Sequence, residues 1–354
     1  MQIKRKVKGK EKLLSLPNFA PDATRAGVKA LPSTELKGAG VEVLVVNTYH
    51  LMLKPGADLV EKAGGIHKFM SWDGWAISDS GGYQVFSLVH RNPELGKVTD
   101  DGVKFKNVYN GDWEFLTPED SIKIQMKLGT DIMVLLDDVR PTDRDKAEME
   151  DAVWRTLEWA KLQKQLFLDE VQKRGWSEDE RPKLVAVIQG GPFEDLRELC
   201  ARELLALEDD NFYFDGFGFG GNHLDADGNL MENILQVTAE LIPDDRFKFA
   251  LGIGRPRDIE VAKSFGWNLF DCTIPTREAR HGKVFFFELG ELKSENLKNA
   301  KFKEDFSKID ETCDCGCADY SKSYLHHLIN VKDPALYTIL EKHNLIVYTE
   351  FVRK

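Results

Sequence analysis

Short apolar runs recur along the chain, and each is followed by a glycine, an aspartate or an asparagine and then by a stretch with helical character. A run of consecutive apolar positions is typical of a strand buried on both faces. The predicted strands are residues 16–20, 41–47, 75–80, 131–137, 184–190, 214–221, 247–254 and 268–275, and the first has the weakest pattern. Eight strand-then-helix units predict an α/β fold, a closed (β/α)8 TIM barrel.

The helices between the strands carry recognisable start and stop signals. Thr117 and Pro118 suit the N-cap and first turn of a helix over residues 121–128, which Gly129 ends. A doubly wound open sheet is the alternative architecture, but no Gly-x-Gly-x-x-Gly sequence follows the first strand. The glycine-rich residues 216–221 alternate as a strand does, so we interpret them as part of the barrel and not as a phosphate-binding loop.

Composition narrows the class of protein. The chain has 354 residues, 42% of them hydrophobic, and no window approaches the ~18 unbroken apolar residues of a membrane helix. The N-terminus is basic but lacks the apolar stretch of a secretory signal, so we expect a cytoplasmic protein with no membrane partner. Five cysteines in a chain of this length do not suggest a disulfide framework. Three of them, Cys313, Cys315 and Cys317, cluster so closely that they indicate a metal site.

The net charge of −11 argues against a nucleic-acid partner, because phosphate binding normally requires a basic surface. The distribution of the charges weakens that argument. A basic set flanks the last predicted strand and consists of Arg255, Arg257, Arg277, Arg280, His281 and Lys283. A second basic run at residues 4–12 is interpreted as a solvated face. A local phosphate-binding surface is therefore compatible with an acidic protein.

Polar residues stand at the carboxyl ends of the predicted strands, where barrel enzymes place their chemistry. The strand ends carry Asn47, Asp79, Asp137, Asp138, Gln189, Gly220, Gly221, Gly252 and Asp271. A single aspartate at a strand end is often a helix cap, and for Asp138 this structural role is as well supported as a functional one. Two carboxylates over a glycosidic carbon permit double displacement, in which one attacks the carbon and the other moves protons. The remaining amide and carboxylate groups suit the polar edge of a purine-like base.

Five segments, in order along the chain, resemble the tRNA-guanine transglycosylase family. They are NTYHL at 47–51, DSGGYQVFSL at 79–88, QGG at 189–191, FDCTIPTR at 270–277 and YLHHL at 324–328. Their spacing is comparable to that of the family, and the resemblance covers nearly the whole chain, from about residue 17 to about residue 350. It implies an enzyme, a pentosyltransferase that exchanges the wobble guanine of tRNAs with GUN anticodons for a 7-deazaguanine.

The resemblance also implies roles for particular residues. Asp271 would be the nucleophile that attacks C1′ of the ribose and holds the tRNA covalently, and Asp79 would be the general base that deprotonates the incoming base. The base-binding positions would be Asp137, Gln189, Gly221, Tyr83 and Leu251. The positions that grip the tRNA around the wobble base would be Arg255, Arg277 and Arg280. A salt bridge across the barrel rim is the structural alternative for Arg277. Members of the family form homodimers, so we expect one here.

The family binds a structural zinc ion through three cysteines and a histidine, which here would be Cys313, Cys315, Cys317 and His343. The histidine follows the third cysteine by 26 residues, as in the family, but the spacing between the second and third cysteines is one residue short. Gly316 would permit the tighter turn. His326 or His327 is the alternative fourth ligand, although both more often pack or hydrogen-bond in a helix. We therefore predict a catalytic barrel over residues 1–304 and a zinc-binding subdomain over residues 305–354 packed on it.

Two departures from the bacterial members concern the base. Residues 220–226 differ from the glycine–glycine–leucine–alanine–valine–glycine–glutamate run usual there, and residues 137–140 are closer to the eukaryotic form. Both stretches would line the pocket for the 7-substituent, and we favour 7-aminomethyl-7-deazaguanine over queuine as the incoming base. Two other functions are open: a paralogue that inserts a 7-deazaguanine into DNA, and a non-catalytic subunit that binds tRNA for a catalytic partner. The presence of both carboxylates argues against the second.

Overall fold

A computed structural model describes residues 1–311, 313 and 315–354 of the chain. The strands are β1 (Gln2–Val7), β2 (Lys10–Ser15), β3 (Asn18–Pro21), β4 (Val43–Asn47), β5 (Trp75–Asp79), β6 (Gly96–Thr99), β7 (Gly102–Lys106), β8 (Trp113–Leu116), β9 (Ile132–Val134), β10 (Lys183–Ile188), β11 (Gly216–Phe219), β12 (Phe247–Ala250), β13 (Leu269–Cys272), β14 (Lys283–Glu288) and β15 (Glu291–Asn296). The α-helices are α1 (Ser33–Gly38), α2 (Thr48–Leu53), α3 (Ala57–Lys62), α4 (Ile66–Met70), α5 (Gly82–Arg91), α6 (Pro118–Leu128), α7 (Lys146–Arg174), α8 (Glu194–Leu205), α9 (Glu232–Glu240), α10 (Pro256–Ser264), α11 (Ile274–Arg280), α12 (Lys322–Val331) and α13 (Ala335–Arg353).

Eight parallel strands form the barrel, in the order β3-β13-β12-β11-β10-β9-β5-β4. The two edge strands meet just past β3, where Asp22 pairs with Val45 and the amide of Ala23 donates a 2.7 Å hydrogen bond to the Val45 carbonyl. All eight predicted strands are present, and β4 and β10 are buried at every residue. The start of α6 at the Thr117 cap and its end at Gly129 are also as predicted. The predicted (β/α)8 barrel is confirmed, and the open-sheet alternative is wrong.

Alternate residues of the barrel strands enter two separate cores, as the two-residue period of a strand requires. Val43 and Val45 of β4 point into the barrel, where they pack with apolar side chains of the other strands. Leu44 and Val46 point outward into the layer between strands and helices. Because apolar side chains fill the interior, polar groups are confined to the two ends of the barrel.

The N-terminal hairpin of β1 and β2 covers one end of the barrel. The prediction that the basic residues 4–12 form a solvated face is wrong for two of them. Arg5 and Lys12 turn inward and reach the carboxylate of Asp131, which lies just before β9, at 2.8 and 2.7 Å. His67 Nε2 lies 3.1 Å from the same carboxylate. Burial raises the pKa of Asp131, but the His67 imidazole and the two cations outweigh it and hold this pKa well below its usual range. This end of the barrel is closed by buried charge pairs.

The last part of the chain returns to the barrel through α13. Tyr348 of α13 packs on Phe19 of β3 and on Phe285 of β14, with ring centroids 5.5 and 4.9 Å apart. Arg280 of α11 forms a 2.9 Å ion pair with Glu341 of α13. The division of the chain at residue 304 stays a prediction. Within the described ranges, no helix combines the length and the apolar character needed to cross a membrane.

Candidate active site

A cavity of about 470 Å³ opens at the carboxyl ends of the barrel strands. Its lining includes eight of the residues predicted for catalysis, base binding and tRNA binding: Asp79, Asp271, Asp137, Tyr83, Gly221, Leu251, Arg255 and Arg277. Gln189 lies behind the wall, hydrogen-bonded to Asp137, and Arg280 lies away from the cavity in its ion pair with Glu341. The fold thus brings the two predicted catalytic aspartates into one cavity.

Asp79, the last residue of β5, is held by three hydrogen bonds. Its Oδ2 accepts from Asn47 Nδ2 at 2.6 Å, and its Oδ1 accepts from the amides of Thr48 at 3.0 Å and Gly81 at 3.1 Å. Burial raises the pKa of Asp79 to about 7 against the lowering effect of the two amides, and the negative charges of Asp22 and Asp271 add to the rise. A carboxyl group with this pKa can both give and take a proton near neutrality.

Asp271 lies near the end of β13 and is the less restrained of the two. Its Oδ1 accepts from the amide of Gly252 at 2.8 Å, and among the described residues this is its hydrogen-bond donor. Burial raises its pKa to about 7, and the charge of Asp22 acts in the same direction. The side chain is therefore oriented by one amide while an oxygen is left for chemistry in the cavity.

Asp137, in the wall of the cavity, forms a buried polar pair with Gln189 behind it. Gln189 Nε2 donates a 2.6 Å hydrogen bond to Asp137 Oδ2. Burial raises the pKa of Asp137 to about 7, because the hydrogen bond from Gln189 offsets only part of the desolvation. The pair offers acceptor and donor atoms in fixed positions, which suits recognition of one edge of a base.

Arg197, a residue that the sequence interpretation did not single out, braces this wall. Its guanidinium is fully buried and donates to the carbonyls of Ile188 at 2.5 Å, Gly191 at 3.1 Å and Gly220 at 3.0 Å. A Cβ at Gly220 would meet the Gln189 side chain at 2.7 Å, so this position needs glycine. The arginine therefore ties the ends of β10 and β11 together beneath the amide of Gln189. The sequence gives no signal of this role, because the bonded carbonyls belong to other segments of the chain.

The rim of the cavity is more exposed than its base. Tyr83 at the start of α5 is 57% exposed, so one face of its ring is free. The side chains of Arg255 and Arg277 are about half exposed; Arg277 has a 3.5 Å contact with Glu278 and Arg255 a 3.9 Å contact with Asp258. Arg255 Nη1 also donates a 3.1 Å hydrogen bond to the carbonyl of Gly228. Both ion-pair contacts are long, so the half-exposed guanidiniums can contact an anionic ligand.

Two residues beside the predicted aspartates have structural surroundings. Asp138 Oδ2 accepts from Arg155 Nη1 at 2.6 Å and from Arg140 Nη2 at 2.8 Å, so this side chain is an ion-pair partner and not a helix cap. Cys272 is 7% exposed and belongs to the core outside the barrel, and burial raises the pKa of its thiol. Cys272 also lines the cavity, so it packs where this core meets the cavity wall.

Two further residues line the cavity, although neither is among the residues predicted for catalysis, base binding or tRNA binding. Asp22 lies two residues past the predicted end of the first strand and is not among the predicted site residues. His223, from the stretch that departs from the bacterial sequence, also lines the cavity. Burial, with the nearby charge of Arg255, lowers the pKa of His223 to about 4, so the imidazole is neutral at pH 7.

The three clustered cysteines meet His343 of α13. The candidate ligand atoms of Cys313, Cys315, Cys317 and His343 all lie within 4.8 Å of one another, and His343 Nδ1 is 3.7 Å from Cys315 Sγ and 3.3 Å from Cys317 Sγ. His343 Nε2 is 2.7 Å from the carbonyl of Phe285, which fixes the ring with Nδ1 toward the sulfurs. Gly316 has a φ of +87°, the left-handed conformation that the short turn requires. This group can bind a metal ion.

The alternative ligands are not part of this cluster. His326 is buried in α12, with Nδ1 2.7 Å from the carbonyl of Leu297 and Nε2 2.9 Å from Asn330 Nδ2. Both ring nitrogens are therefore occupied. Its neighbour His327 is exposed on the same helix.

Comparisons with known proteins agree along the whole chain. The family model described as Queuine tRNA-ribosyltransferase matches residues 5–354. The protein of that name from Thermoanaerobacter pseudethanolicus is 38% identical over 94% of this chain and 83% of the relative. The one from Bacillus subtilis is 38% identical over 93% of this chain and 81% of the relative, and the one from a Nostoc species is 38% identical over 97% and 86%.

Proposed function

The chain belongs to the queuine tRNA-ribosyltransferase family and is a tRNA-guanine transglycosylase, a pentosyltransferase of queuosine biosynthesis, and we propose that it works through a covalent bond between Asp271 and the ribose of the wobble nucleotide. The observation that carries this proposal is that Asp79 and Asp271 line one cavity at the barrel mouth. The substrates would be tRNAs with GUN anticodons, whose wobble guanine is exchanged for a 7-deazaguanine.

In the first step, a carboxylate oxygen of Asp271 forms a bond to C1′ while the bond from C1′ to N9 of guanine breaks. Guanine leaves with the bonding electrons and takes a proton from Asp79. The single amide contact of Asp271 leaves an oxygen able to attack, and the pKa of about 7 of Asp79 lets that group donate at neutral pH.

In the second step, the incoming base replaces guanine in the pocket. Asp79, now a carboxylate, removes the proton from the ring nitrogen, and that nitrogen attacks C1′ and displaces Asp271. Two displacements at one carbon restore the original configuration. Asn47 supports this cycle because its amide keeps Asp79 Oδ2 in one position through both proton transfers.

The residues that would bind the base lie in or directly behind the walls of the cavity. Asp137, Gln189 and the backbone at Gly221 would read the polar edge of the base, while Tyr83 and Leu251 would contact its two faces. The 7-substituent would lie toward the stretch that contains His223. We retain 7-aminomethyl-7-deazaguanine as the favoured base and queuine as the alternative. Mass spectrometry of tRNA after incubation with each base separates them, since only the accepted base changes the mass of the wobble nucleoside.

Arginines at the rim of the cavity would bind the phosphate backbone of the tRNA. Arg255 and Arg277 line the cavity and are about half exposed, so they are suited to grip the phosphates next to the wobble base. For Arg280, whose guanidinium is paired with Glu341, the same role would need that ion pair to open or to be shared. A homodimer, in which one subunit orients tRNA for the other, is part of the proposal.

We also propose that the cysteine–histidine group holds a structural zinc ion. Three thiolates and one imidazole form a closed tetrahedral set of the kind that zinc prefers. None of the four residues lines the cavity, so the ion would stabilise the fold of the C-terminal residues 305–354 and would not take part in the exchange reaction.

Incorporation of radiolabelled guanine tests the proposed function against its alternatives. The enzyme is incubated with labelled guanine and either tRNA or duplex DNA of similar length. The proposal expects label in tRNA alone. Label in DNA alone would support the DNA-modifying paralogue, and no label in either, from a protein that still binds tRNA, would support the non-catalytic subunit.

A further inference from the structure

A third carboxylate, that of Asp22, lies between the two proposed catalytic aspartates. In the barrel order, β13 with Asp271 is followed by β3, then by β4 and by β5 with Asp79. Asp22 comes directly after β3, in register with Val45 of β4, while Asp271 is in register with Ala20 of β3. Three carboxylates thus rise from the ends of neighbouring strands around one cavity.

The surroundings of Asp22 do not explain it as a structural residue. Its Oδ1 accepts a 3.0 Å hydrogen bond from Thr24 Oγ1, and Thr24 is its hydrogen-bond partner among the residues that the structure describes. No cation forms an ion pair with Asp22 in that same part of the chain. Instead its negative charge raises the pKa values of Asp79 and Asp271, which line the same cavity. A carboxylate desolvated beside two others destabilises the fold, which is typical of a functional position.

The chemistry at C1′ indicates what the free oxygen of Asp22 can do. Positive charge develops on the sugar during glycosidic bond cleavage, and hydrogen bonds to the hydroxyl on the next carbon strengthen in that transition state. Asp271 would bond to C1′, so an acceptor on the adjacent strand is suited to reach the substituent on C2′. A carboxylate is a strong acceptor for such a hydroxyl.

We propose that Asp22 accepts a hydrogen bond from the 2′-hydroxyl of the ribose under attack, and thereby positions the sugar and makes the exchange selective for ribonucleotides. This rests on the proposed function. Thr24 would act through Asp22 by fixing the orientation of its carboxyl group. The three carboxyl groups would then have separate roles at one sugar. Asp271 would form the bond to C1′, Asp79 would transfer the proton, and Asp22 would bind the 2′-hydroxyl.

The test compares two anticodon stem-loops that differ only in having guanosine or 2′-deoxyguanosine at the wobble position. Guanine exchange into each is measured for the wild type, Asp22→Ala, Asp22→Asn and Thr24→Val. We expect the wild type to favour the ribose substrate by about 10- to 100-fold in kcat/KM, and Asp22→Ala to lose most of this ratio. Dividing the wild-type ratio by the ratio of each variant cancels the intrinsic difference in reactivity between the two sugars.

The conservative variants make the result specific. Asp22→Asn keeps an acceptor oxygen and should retain part of the ratio, and Thr24→Val should reduce it by a smaller amount than Asp22→Ala. Equal loss on both substrates, or a wild type that does not distinguish them, would overturn the role of Asp22. Absence of exchange into either substrate by the wild type would instead overturn the proposed function, so the two failures are distinguishable. If Asp22→Ala does not fold, the Asn and Val variants carry the comparison.

Discussion

Asn47 connects a helix start to the proposed acid–base group. Its Oδ1 caps α2 by accepting a 2.9 Å hydrogen bond from the amide of His50, and its Nδ2 donates at 2.6 Å to Asp79 Oδ2. The amide is thus fixed by the backbone at one end and holds a carboxylate at the other. Asn47 is a positioning residue whose orientation cannot be reversed without losing both contacts.

Replacing Asn47 by Ala should lower kcat/KM about 10- to 100-fold, because Asp79 loses a donor that favours its ionised form and its orientation. The same loss should raise the pKa of Asp79, so the pH–activity profile should shift to higher pH along with the fall in rate. Steady-state kinetics from pH 5.5 to about 9 measures both. A reduced rate with an unchanged profile would mean that Asn47 only caps α2, and Asn92→Ala, which removes an exposed cap of the same kind, is the control.

The buried carboxyl groups should make the unliganded protein less stable as the pH rises. Asp137 has a pKa raised to about 7 in the fold. A raised carboxyl pKa contributes stability below the unfolded value of about 3.9, and that contribution is lost as the pH rises through 7. Between pH 5 and pH 8, Asp137→Asn should therefore gain about 1–3 kcal/mol of stability relative to the wild type, because the unfolded carboxyl group is already ionised at pH 5 while the folded one is not. Urea unfolding at both pH values checks this, and an equal effect at pH 5 and 8 would contradict it.

The charge cluster at the other end of the barrel has the opposite pH dependence. Asp131 has a depressed pKa, so its contribution is present above the unfolded value of about 3.9 and is lost as the pH falls below it. Asp131→Asn should cost about 3–5 kcal/mol at pH 7, because Arg5 and Lys12 would be left without a buried counter-charge. Denaturant unfolding measures the change. Asp179→Ala breaks the exposed pair with Lys6 and should leave the denaturant midpoint of unfolding unaltered. A similar loss of stability in both variants would contradict the larger contribution of the buried pairs.

Removal of one thiolate should remove the metal. Cys315→Ser is expected to lose bound zinc and to lower the melting temperature together, since binding and folding of such a site are coupled. His327→Ala, which changes an exposed histidine outside the cluster, should keep both. Metal analysis of the purified proteins gives the answer. Absence of zinc from the wild type, or a full zinc content in Cys315→Ser, would contradict the proposed zinc site.

The strands and their polar ends could be predicted because both follow from local patterns. A strand buried on two faces is apolar at successive positions, and the residue that ends it is the one that meets the cavity, as for Asp79 and Asp271. The cysteine spacing likewise predicts a metal site, and His343 lies beside the three cysteines in the structure.

Other features depend on contacts between distant segments. The pattern does not indicate Asp22, because the apolar run ends at Ala20, two residues before the residue that reaches the cavity. Arg5 and Lys12 were interpreted as solvated because a basic run carries no sign of Asp131, more than a hundred residues later, as its partner. Arg197 similarly braces carbonyls of two strands, a role that no local pattern encodes.

Trapping of the covalent intermediate tests the central claim most directly. Wild type and Asp271→Asn are incubated with tRNA and analysed on denaturing gels, with Asp73→Asn, which changes an exposed carboxylate, as the matched control. We predict an enzyme–tRNA adduct for the wild type and for Asp73→Asn, and none for Asp271→Asn. A normal yield of adduct from Asp271→Asn would contradict the assignment of Asp271 as the nucleophile.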